Sequence, residues 1–334
     1  MSVKYSKETL NDRFTLFTVE NGGSKNTFAE DVIAGLTSDP KTLPPKYFYD
    51  NAGSELFEKI CSTPEYYVTR TEASILKDKS ENIADANKGK DLIVELGSGS
   101  SIKTRYILNA FIKQNSSVNY VPIDVSEILI QSGNSLLSDF EGLYVTGIIG
   151  EYEESIEAAT KIFPQPKLIL FLGSSIGNFD LPHAEEFLGK LSASMRKGDS
   201  LLIGFDLVKN ENVLNAAYND SEGVTAEFNL NLLRRIKREF NSELNEDNFE
   251  HKAHFNSNES RIEMHLISKC DHSFSLNGSG EIKFRKGDSI HTENSYKFTD
   301  EMIRGLASSA GLTISESWKD ENNYFELCLM NKDK

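Results

Sequence analysis

The sequence predicts an α/β protein built on a doubly wound parallel sheet, and two observations predict it. In the middle third of the chain, short and almost continuously apolar strands alternate with amphipathic helical segments. Near-continuous apolar strands are typical of a parallel sheet that helices cover on both faces. The chain also has 334 residues, so we expect two lobes or one core with a large insertion.

The alternating part contains five predicted strands and four predicted helices. The strands are residues 91–96, 120–125, 143–149, 167–173 and 200–207, and the helices are residues 102–114, 126–140, 152–162 and 182–196. Near the C-terminus, a helix at 299–310 precedes strands at 313–319 and 324–330. We expect these last two strands to return to the sheet as an antiparallel pair.

The alternation breaks between residues 209 and 296. This stretch holds helices, a polar Asn-rich segment, and hairpin-like material formed by 261–268, a turn at 277–280 and 281–285. We therefore predict a second domain inserted into the first. Residues 71–208 and 297–334 would form the domain with the large sheet, and residues 1–70 and 209–296 the second domain.

The charge balance argues against nucleic acid and membrane partners. Lys and Arg total 36 and Asp and Glu total 51, a net charge of −15, whereas both partners favour a basic surface. A basic cluster at 234–238 lies opposite an apolar helical stripe, which indicates a solvated helix face. Without a signal-like N-terminus or a membrane-length apolar run, we expect a cytoplasmic monomer acting on a small molecule.

The cysteines and histidines predict no metal site. Cys61, Cys270 and Cys328 are odd in number and far apart, which favours neither disulfides nor a zinc cluster. His251 and His254 are three residues apart and would share one face of a helix, but no third Cys or His follows in a ligand-like rhythm.

A glycine loop follows the first predicted strand. Residues 95–99 place Gly97 and Gly99 where a doubly wound sheet binds ligands, beyond the carboxyl end of a strand. The loop lacks the third glycine of a dinucleotide fingerprint, which disfavours a nicotinamide oxidoreductase. Asp124 ends the second strand and offers acceptors for two ribose hydroxyls, although a helix cap is an alternative. Together these residues favour a nucleoside-bearing cofactor.

A set of longer motifs extends in order along nearly the whole chain. It comprises residues 43–50, 53–57, 64–72, 95–99, 103–105, 172–178, 206–209, 218, 223–226, 261–264 and 292–298. In these motifs the chain resembles the histidine-specific, S-adenosylmethionine-dependent methyltransferases of the ergothioneine pathway and their relatives that methylate indole amino acids. The resemblance implies a Rossmann-like class I methyltransferase sheet with an inserted substrate-binding domain.

The resemblance also implies where S-adenosylmethionine binds. Gly97, Lys103 and Asp124 would contact this methyl donor, together with the tip of the third strand. There the chain carries Glu151 and Tyr152 where the family has an Asp-Phe pair. A glutamate can still accept a hydrogen bond from the adenine amino group, so we expect a shifted contact.

The resemblance also implies that seven residues lie at the substrate. Tyr49 would act in catalysis beside the amine, and the others would bind the amino acid: Tyr66, Asn178, Tyr218, Met264, Glu293 and Ser295. Glu293 and Ser295 are two residues apart, so on a strand they share a face and suit the two ring nitrogens of an imidazole.

The expected reaction is methylation of the α-amino nitrogen of L-histidine, three times in succession, to give Nα,Nα,Nα-trimethylhistidine (hercynine) for ergothioneine biosynthesis. One alternative is methylation of tryptophan or another aromatic amino acid, whose indole pocket would gain from losing the Glu293 carboxylate. A non-catalytic donor-binding protein is a further alternative, but the chain keeps both the donor and the substrate residues.

Overall fold

The computed structural model describes residues 4–19, 27–276 and 280–332. Their contacts divide the chain into two compact units. The first unit draws on Met1–Gly23, Val68–Leu207 and Phe298–Lys334, and the second on Ser24–Tyr67 and Val208–Lys297.

The first unit alternates strands and helices. Its elements are β1 (Tyr5–Asn11), β2 (Phe14–Val19), α3 (Tyr67–Ala86), β4 (Leu92–Leu96), α4 (Thr104–Asn115), β5 (Val118–Asp124), α5 (Ile128–Asp139), β6 (Leu143–Ile149), α6 (Tyr152–Ile162), β7 (Lys167–Phe171), α7 (Leu181–Ser194), β8 (Ser200–Asp206), α10 (Asp300–Ser309), β14 (Thr313–Lys319) and β15 (Phe325–Asn331). A short 3₁₀ helix, Ser175–Asn178, follows β7.

Counted over the described residues, these strands form one nine-stranded sheet in the order β1-β2-β6-β5-β4-β7-β8-β15-β14. The six strands from β2 to β8 in this order run parallel. β15 pairs antiparallel with β8 and β14 antiparallel with β15, which confirms the predicted return of the C-terminal strands. Every residue of β4, β7 and β8 is buried, which explains their nearly continuous apolar sequences. The predicted fold class is therefore confirmed.

The strand order reverses at β4. β5 pairs with one edge of β4, and β7 pairs with the other edge. The chain therefore leaves β4 toward β5 and leaves β7 toward β8, in opposite directions along the sheet. In a doubly wound sheet, the crevice at such a switch point is where ligands bind.

The predicted boundary of the first unit is wrong at the N-terminus. Residues 1–70 were expected in the second domain, yet β2 pairs parallel with β6 and β1 pairs with β2. The reason is packing: Phe14 is fully buried, and a Cβ atom on Gly133 would lie only 2.7 Å from its ring. Glycine at position 133 thus makes room for a ring from the edge strand.

The second unit combines helices with a smaller sheet. Its elements are α1 (Phe28–Thr37), β3 (Lys41–Thr42), α2 (Asn51–Ile60), α8 (Glu211–Ala217), α9 (Val224–Phe240), β9 (Phe249–Asn256), β10 (Arg261–Ser268), β11 (His272–Ser275), β12 (Glu281–Phe284) and β13 (Ser289–Tyr296). Over the described residues, one sheet has the order β3-β13-β10-β9, and β11 pairs with β12.

Two expectations for this unit are corrected. Residues 261–268 do not pair with 281–285; β10 pairs with β9 and β13, and β12 pairs with β11. His251 and His254 lie on strand β9 and not on a helix, so their spacing of three directs them to opposite faces. The predicted turn at 277–280 has residues 277–279 outside the described part of the chain.

Among the described residues, each helix is too short or too polar to cross a lipid bilayer.

We predict that Phe14→Ala destabilises the protein strongly, because it leaves a cavity against Gly133 and Val145. The expected loss in the free energy of unfolding is about 3–5 kcal/mol, measured by urea denaturation. Thr18→Ala, at an exposed position of the same strand, is the control and should change it by less than about 0.5 kcal/mol. Equal effects of the two variants would contradict the place of β2 in the core.

Candidate active site

The glycine loop begins where β4 ends, at the switch point of the large sheet. Gly97 and Gly99 have positive φ angles of 68° and 49°. The Gly97 N–H donates to the Ile123 carbonyl at 2.8 Å. A Cβ atom on Gly97 would lie 2.7 Å from the hydroxyl oxygen of Tyr152, whereas a Cβ on Gly99 would meet nothing within 4 Å. The loop is therefore packed against Tyr152 at Gly97 and has open space beside Gly99. Its backbone at Gly99 forms a surface on which a ligand could lie.

Asp124, at the end of β5, is bound to this loop. Its Oδ2 accepts the Gly99 N–H at 2.9 Å, and its Oδ1 accepts the Ser126 N–H at 2.9 Å. Burial raises the pKa of Asp124 despite these hydrogen bonds. Each oxygen retains acceptor capacity after one backbone bond, so the carboxylate can also receive two ribose hydroxyls. The capping alternative is not supported, because Asp124 accepts from Gly99 and Ser126 and from no residue of α5, whose first N–H instead donates to the Ser126 hydroxyl.

Glu151 and Tyr152 follow β6 on the same side of the switch point. Glu151 is the N-cap residue of α6 but makes no side-chain capping bond. The Tyr152 ring packs edge-on against Phe171, with 5.6 Å between centroids. Burial raises the pKa of Tyr152, so its phenol is protonated at physiological pH. The structure thus brings Gly97, Asp124 and Tyr152 together.

Lys103 forms an ion pair with Glu72, a residue that the sequence reasoning missed. The Glu72 side chain is completely buried, and its two oxygens accept the Gly173 N–H at 2.8 and 2.9 Å. Gly173 follows β7, so Glu72 connects the loop after β7 to Lys103 at the start of α4. The only sequence signal was its place in the motif at 64–72. Asn178 ends the 3₁₀ helix beyond Gly173 and so belongs to the first unit.

The second unit contains a cavity lined by aromatic and apolar side chains and one carboxyl group. Its lining residues are Tyr49, Phe57, Ile60, Tyr66, Ala217, Tyr218, Thr225, Phe228, Met264 and Glu293. Five of the sequence-predicted substrate residues are among them. The sequence reasoning missed the others, because apolar side chains of this kind fill any core.

Glu293 is the carboxyl group of this cavity. It lies on β13 directly opposite Met264 on β10. The register shifts at the next pair, where His265 faces His291, so Thr292 is an extra residue on β13. Burial raises the pKa of Glu293 to about 7, although the charge of Lys297 opposes this.

Ser295, Tyr218 and Lys297 form a hydrogen-bonded group beside the cavity. The hydroxyls of Ser295 and Tyr218 are 2.7 Å apart. The Lys297 ammonium donates to Ser295 at 2.8 Å and to Tyr218 at 3.1 Å. Lys297 is completely buried and was not predicted as a site residue, because a lysine at the end of a strand is usually exposed.

A doubly wound sheet with a glycine loop and a carboxylate at its switch point defines a class of enzymes that bind a nucleoside-bearing cofactor. Comparison with known proteins makes this class specific. The profile of a family described as histidine-specific, SAM-dependent methyltransferases matches residues 28–332. The chain therefore belongs to this family of S-adenosylmethionine-dependent methyltransferases.

Three relatives illustrate the range of the similarity. A histidine N-alpha-methyltransferase from Mycolicibacterium smegmatis is 41% identical over 90% of this chain and 93% of its own length. Ergothioneine biosynthesis protein 1 from Schizosaccharomyces pombe is 30% identical over 83% of this chain and 37% of its own length. A 4-dimethylallyltryptophan N-methyltransferase from Claviceps fusiformis is 28% identical over 89% of this chain and 90% of its own length.

The raised pKa of Glu293 predicts a pH-dependent stability. Its carboxyl group has a pKa near 4.5 when unfolded and about 7 when folded, so its contribution to stability is full below pH 4.5 and is lost as the pH rises through 7. Glu293→Gln removes this titration. The variant should gain stability relative to the wild type between pH 5 and pH 8, measured as the difference in urea midpoint at each pH.

Glu95, whose pKa burial also raises to about 7, is present in both proteins and cancels in this comparison. A midpoint difference that is the same at pH 5 and pH 8 would show that Glu293 is not desolvated.

Proposed function

We propose that the chain transfers methyl groups from S-adenosylmethionine to the α-amino nitrogen of L-histidine, three times in succession, and so makes hercynine for ergothioneine biosynthesis. Family membership and the names of the relatives above support this reaction. The single observation that carries the choice of histidine is the position of Glu293 in the cavity, opposite Met264 and two residues from Ser295.

An imidazole ring suits this arrangement. Glu293 accepts a hydrogen bond from one ring N–H, and the Ser295 hydroxyl donates to the other nitrogen. The Ser295 oxygen accepts from the Lys297 ammonium and lies 2.7 Å from the Tyr218 hydroxyl, and when Tyr218 donates in that pair the Ser295 proton is available for this second bond. An indole has only one ring nitrogen and leaves part of this polar group without a partner, which is costly when buried.

The tyrosines suit the other end of the amino acid. The amine must be neutral to attack, and a free α-amino group has a pKa near 8, so a useful fraction is neutral at physiological pH. Burial raises the pKa of Tyr66 well above its usual value, so this phenol bonds the amine or carboxylate without adding charge. We propose the same binding role for Tyr218 and assign Tyr49 to the amine itself.

The aromatic faces of these tyrosines also suit the product, because a quaternary ammonium is attracted to ring faces. Successive methylation requires that the cavity accept a growing cation, and Tyr49, Tyr66 and Tyr218 all line it. For Asn178, in the first unit, contact with the substrate stays a prediction from the family resemblance.

The first unit suits the methyl donor. Gly97 and Gly99 offer the backbone surface, and Asp124 offers acceptors for the ribose. We propose that the donor directly contacts Gly97, Asp124, Lys103, Glu151 and Tyr152, the last of which packs against Gly97. When bound, S-adenosylmethionine supplies a sulfonium methyl group that is already activated. The protein's contribution is then chiefly to hold and orient the amino acid and the donor.

We further propose a cytoplasmic monomer acting on a free amino acid. The net charge of −15 supports a small-molecule substrate over nucleic acid, since a polyanion would be repelled.

The direct test is mass spectrometry of L-histidine incubated with the protein and S-adenosylmethionine. We expect mass increments of one, two and three methyl groups, with the trimethylated form accumulating. Tryptophan and tyrosine in the same mixture serve as competitors. Faster methylation of tryptophan would overturn the choice of histidine, and no methylation of any amino acid would overturn the enzymatic assignment.

A pair of variants tests the division between donor and substrate sites. Glu293→Ala should weaken histidine binding about tenfold to a hundredfold, because it removes a charged hydrogen-bond acceptor, and should leave S-adenosylhomocysteine binding nearly unchanged. Asp124→Ala should do the reverse. Each variant is the control for the other, and calorimetry with both ligands measures the effect. If both variants weakened the two ligands equally, the proposed partition would be wrong.

A further inference from the structure

The face of the β9-β10-β13 sheet opposite the cavity carries a second group of polar side chains. Because side chains alternate along a strand, the neighbours of Met264 point away from the cavity. Two of these neighbours are Glu263 and His265, and His254 on β9 lies directly opposite Glu263. The nearest ligand atoms of these three residues all lie within 4.8 Å of one another.

The two carboxylate oxygens of Glu263 have different partners. Its Oε1 accepts from the Arg261 guanidinium at 2.8 and 2.9 Å and from Asn256 at 3.0 Å. Its Oε2 faces the Nε2 atoms of His265 at 3.4 Å and of His254 at 3.8 Å. Both distances are longer than a good N–H···O hydrogen bond, and one carboxylate oxygen facing two imidazole nitrogens leaves room for an ion among them.

Surrounding residues hold two of the three ligands in place. Arg261 and Asn256 orient the carboxylate, as outer partners do in metal sites. The His265 ring stacks between His254 and His291, with centroid distances of 5.6 and 4.8 Å. His254 is 46% exposed, so the group opens to solvent on that side.

We propose that His254, Glu263 and His265 form a binding site for a divalent transition-metal ion such as Zn²⁺. Two imidazole nitrogens and one carboxylate oxygen suit Zn²⁺, Co²⁺ or Ni²⁺ better than Ca²⁺ or Mg²⁺, which prefer oxygen ligands. Ligands about 2.0–2.2 Å from one ion lie up to roughly 4.4 Å apart, so small side-chain rotations bring the three atoms into range. Water from the solvent side completes the coordination.

Cys270 provides a matched control for zinc binding outside the proposed site. Cys270 is exposed, and the His272 Nδ1 lies 3.0 Å from its carbonyl oxygen, so a thiolate and an imidazole there could also take up zinc. Cys270→Ser removes that competing pair without changing the proposed site. His183→Asn, on an exposed helix position in the first unit, removes a surface histidine that also has a carboxylate partner.

The experiment is calorimetric titration of the untagged, EDTA-treated full chain with ZnCl₂ at pH 7.5, supported by Co²⁺ absorption spectra. We expect one saturable site in the wild type, in Cys270→Ser and in His183→Asn. His254→Asn and His265→Asn should weaken it at least tenfold. His254 is partly exposed, so its variant should fold, and circular dichroism verifies this. Absence of a saturable site in the wild type, wild-type affinity in both His254→Asn and His265→Asn, or loss of the site in Cys270→Ser would overturn the proposal. These outcomes do not depend on methyltransferase activity.

Discussion

The position of β4 between β5 and β7 is the constraint on which the first unit's site depends. The loops after β4 and β7 diverge there, and their glycines Gly97 and Gly173 both have positive φ angles. Buried carboxylates stabilise these loops, since Asp124 accepts the Gly99 N–H and Glu72 the Gly173 N–H. Backbone N–H groups of both loops, which would otherwise lack partners, are thereby satisfied.

The second unit depends in the same way on strand register. Thr292, the extra residue on β13, is buried, and its hydroxyl donates to the Asn229 side chain at 2.9 Å and lies 3.1 Å from the Met264 carbonyl. These contacts keep Glu293 opposite Met264. A slip of one residue would move Glu293 to the face that carries Glu263 and His265. One local irregularity therefore determines which polar groups face the cavity and which face the proposed metal site.

The sequence predicted correctly those features that leave a pattern among neighbouring residues of the chain. The apolar runs of β4 to β8 predicted five of the six parallel strands in the described part of the chain to within two residues at each end, because extensive burial leaves an almost continuous apolar pattern. β1 has no such pattern, since nearly all its residues are exposed, although its partner β2 follows it directly in the chain. Glu72 contacts Gly173 from 101 residues away, so nothing local predicted the pair. The His251 and His254 spacing misled for the opposite reason, as it fits a helix face but occurs on a strand.

Lys297, which was not predicted as a site residue, affects the protonation of Glu293. Burial alone favours a protonated Glu293, whereas the nearby ammonium favours the carboxylate, and the balance places the pKa at about 7. A ligand N–H that donates to Glu293 stabilises the ionised form further, so binding an imidazole is coupled to deprotonation of this residue. Lys297 also donates to Ser295 and Tyr218, two proposed substrate residues whose hydroxyls are 2.7 Å apart. A single buried cation is thus bonded to two of the proposed substrate residues and also sets the charge balance at Glu293, although it does not itself line the cavity.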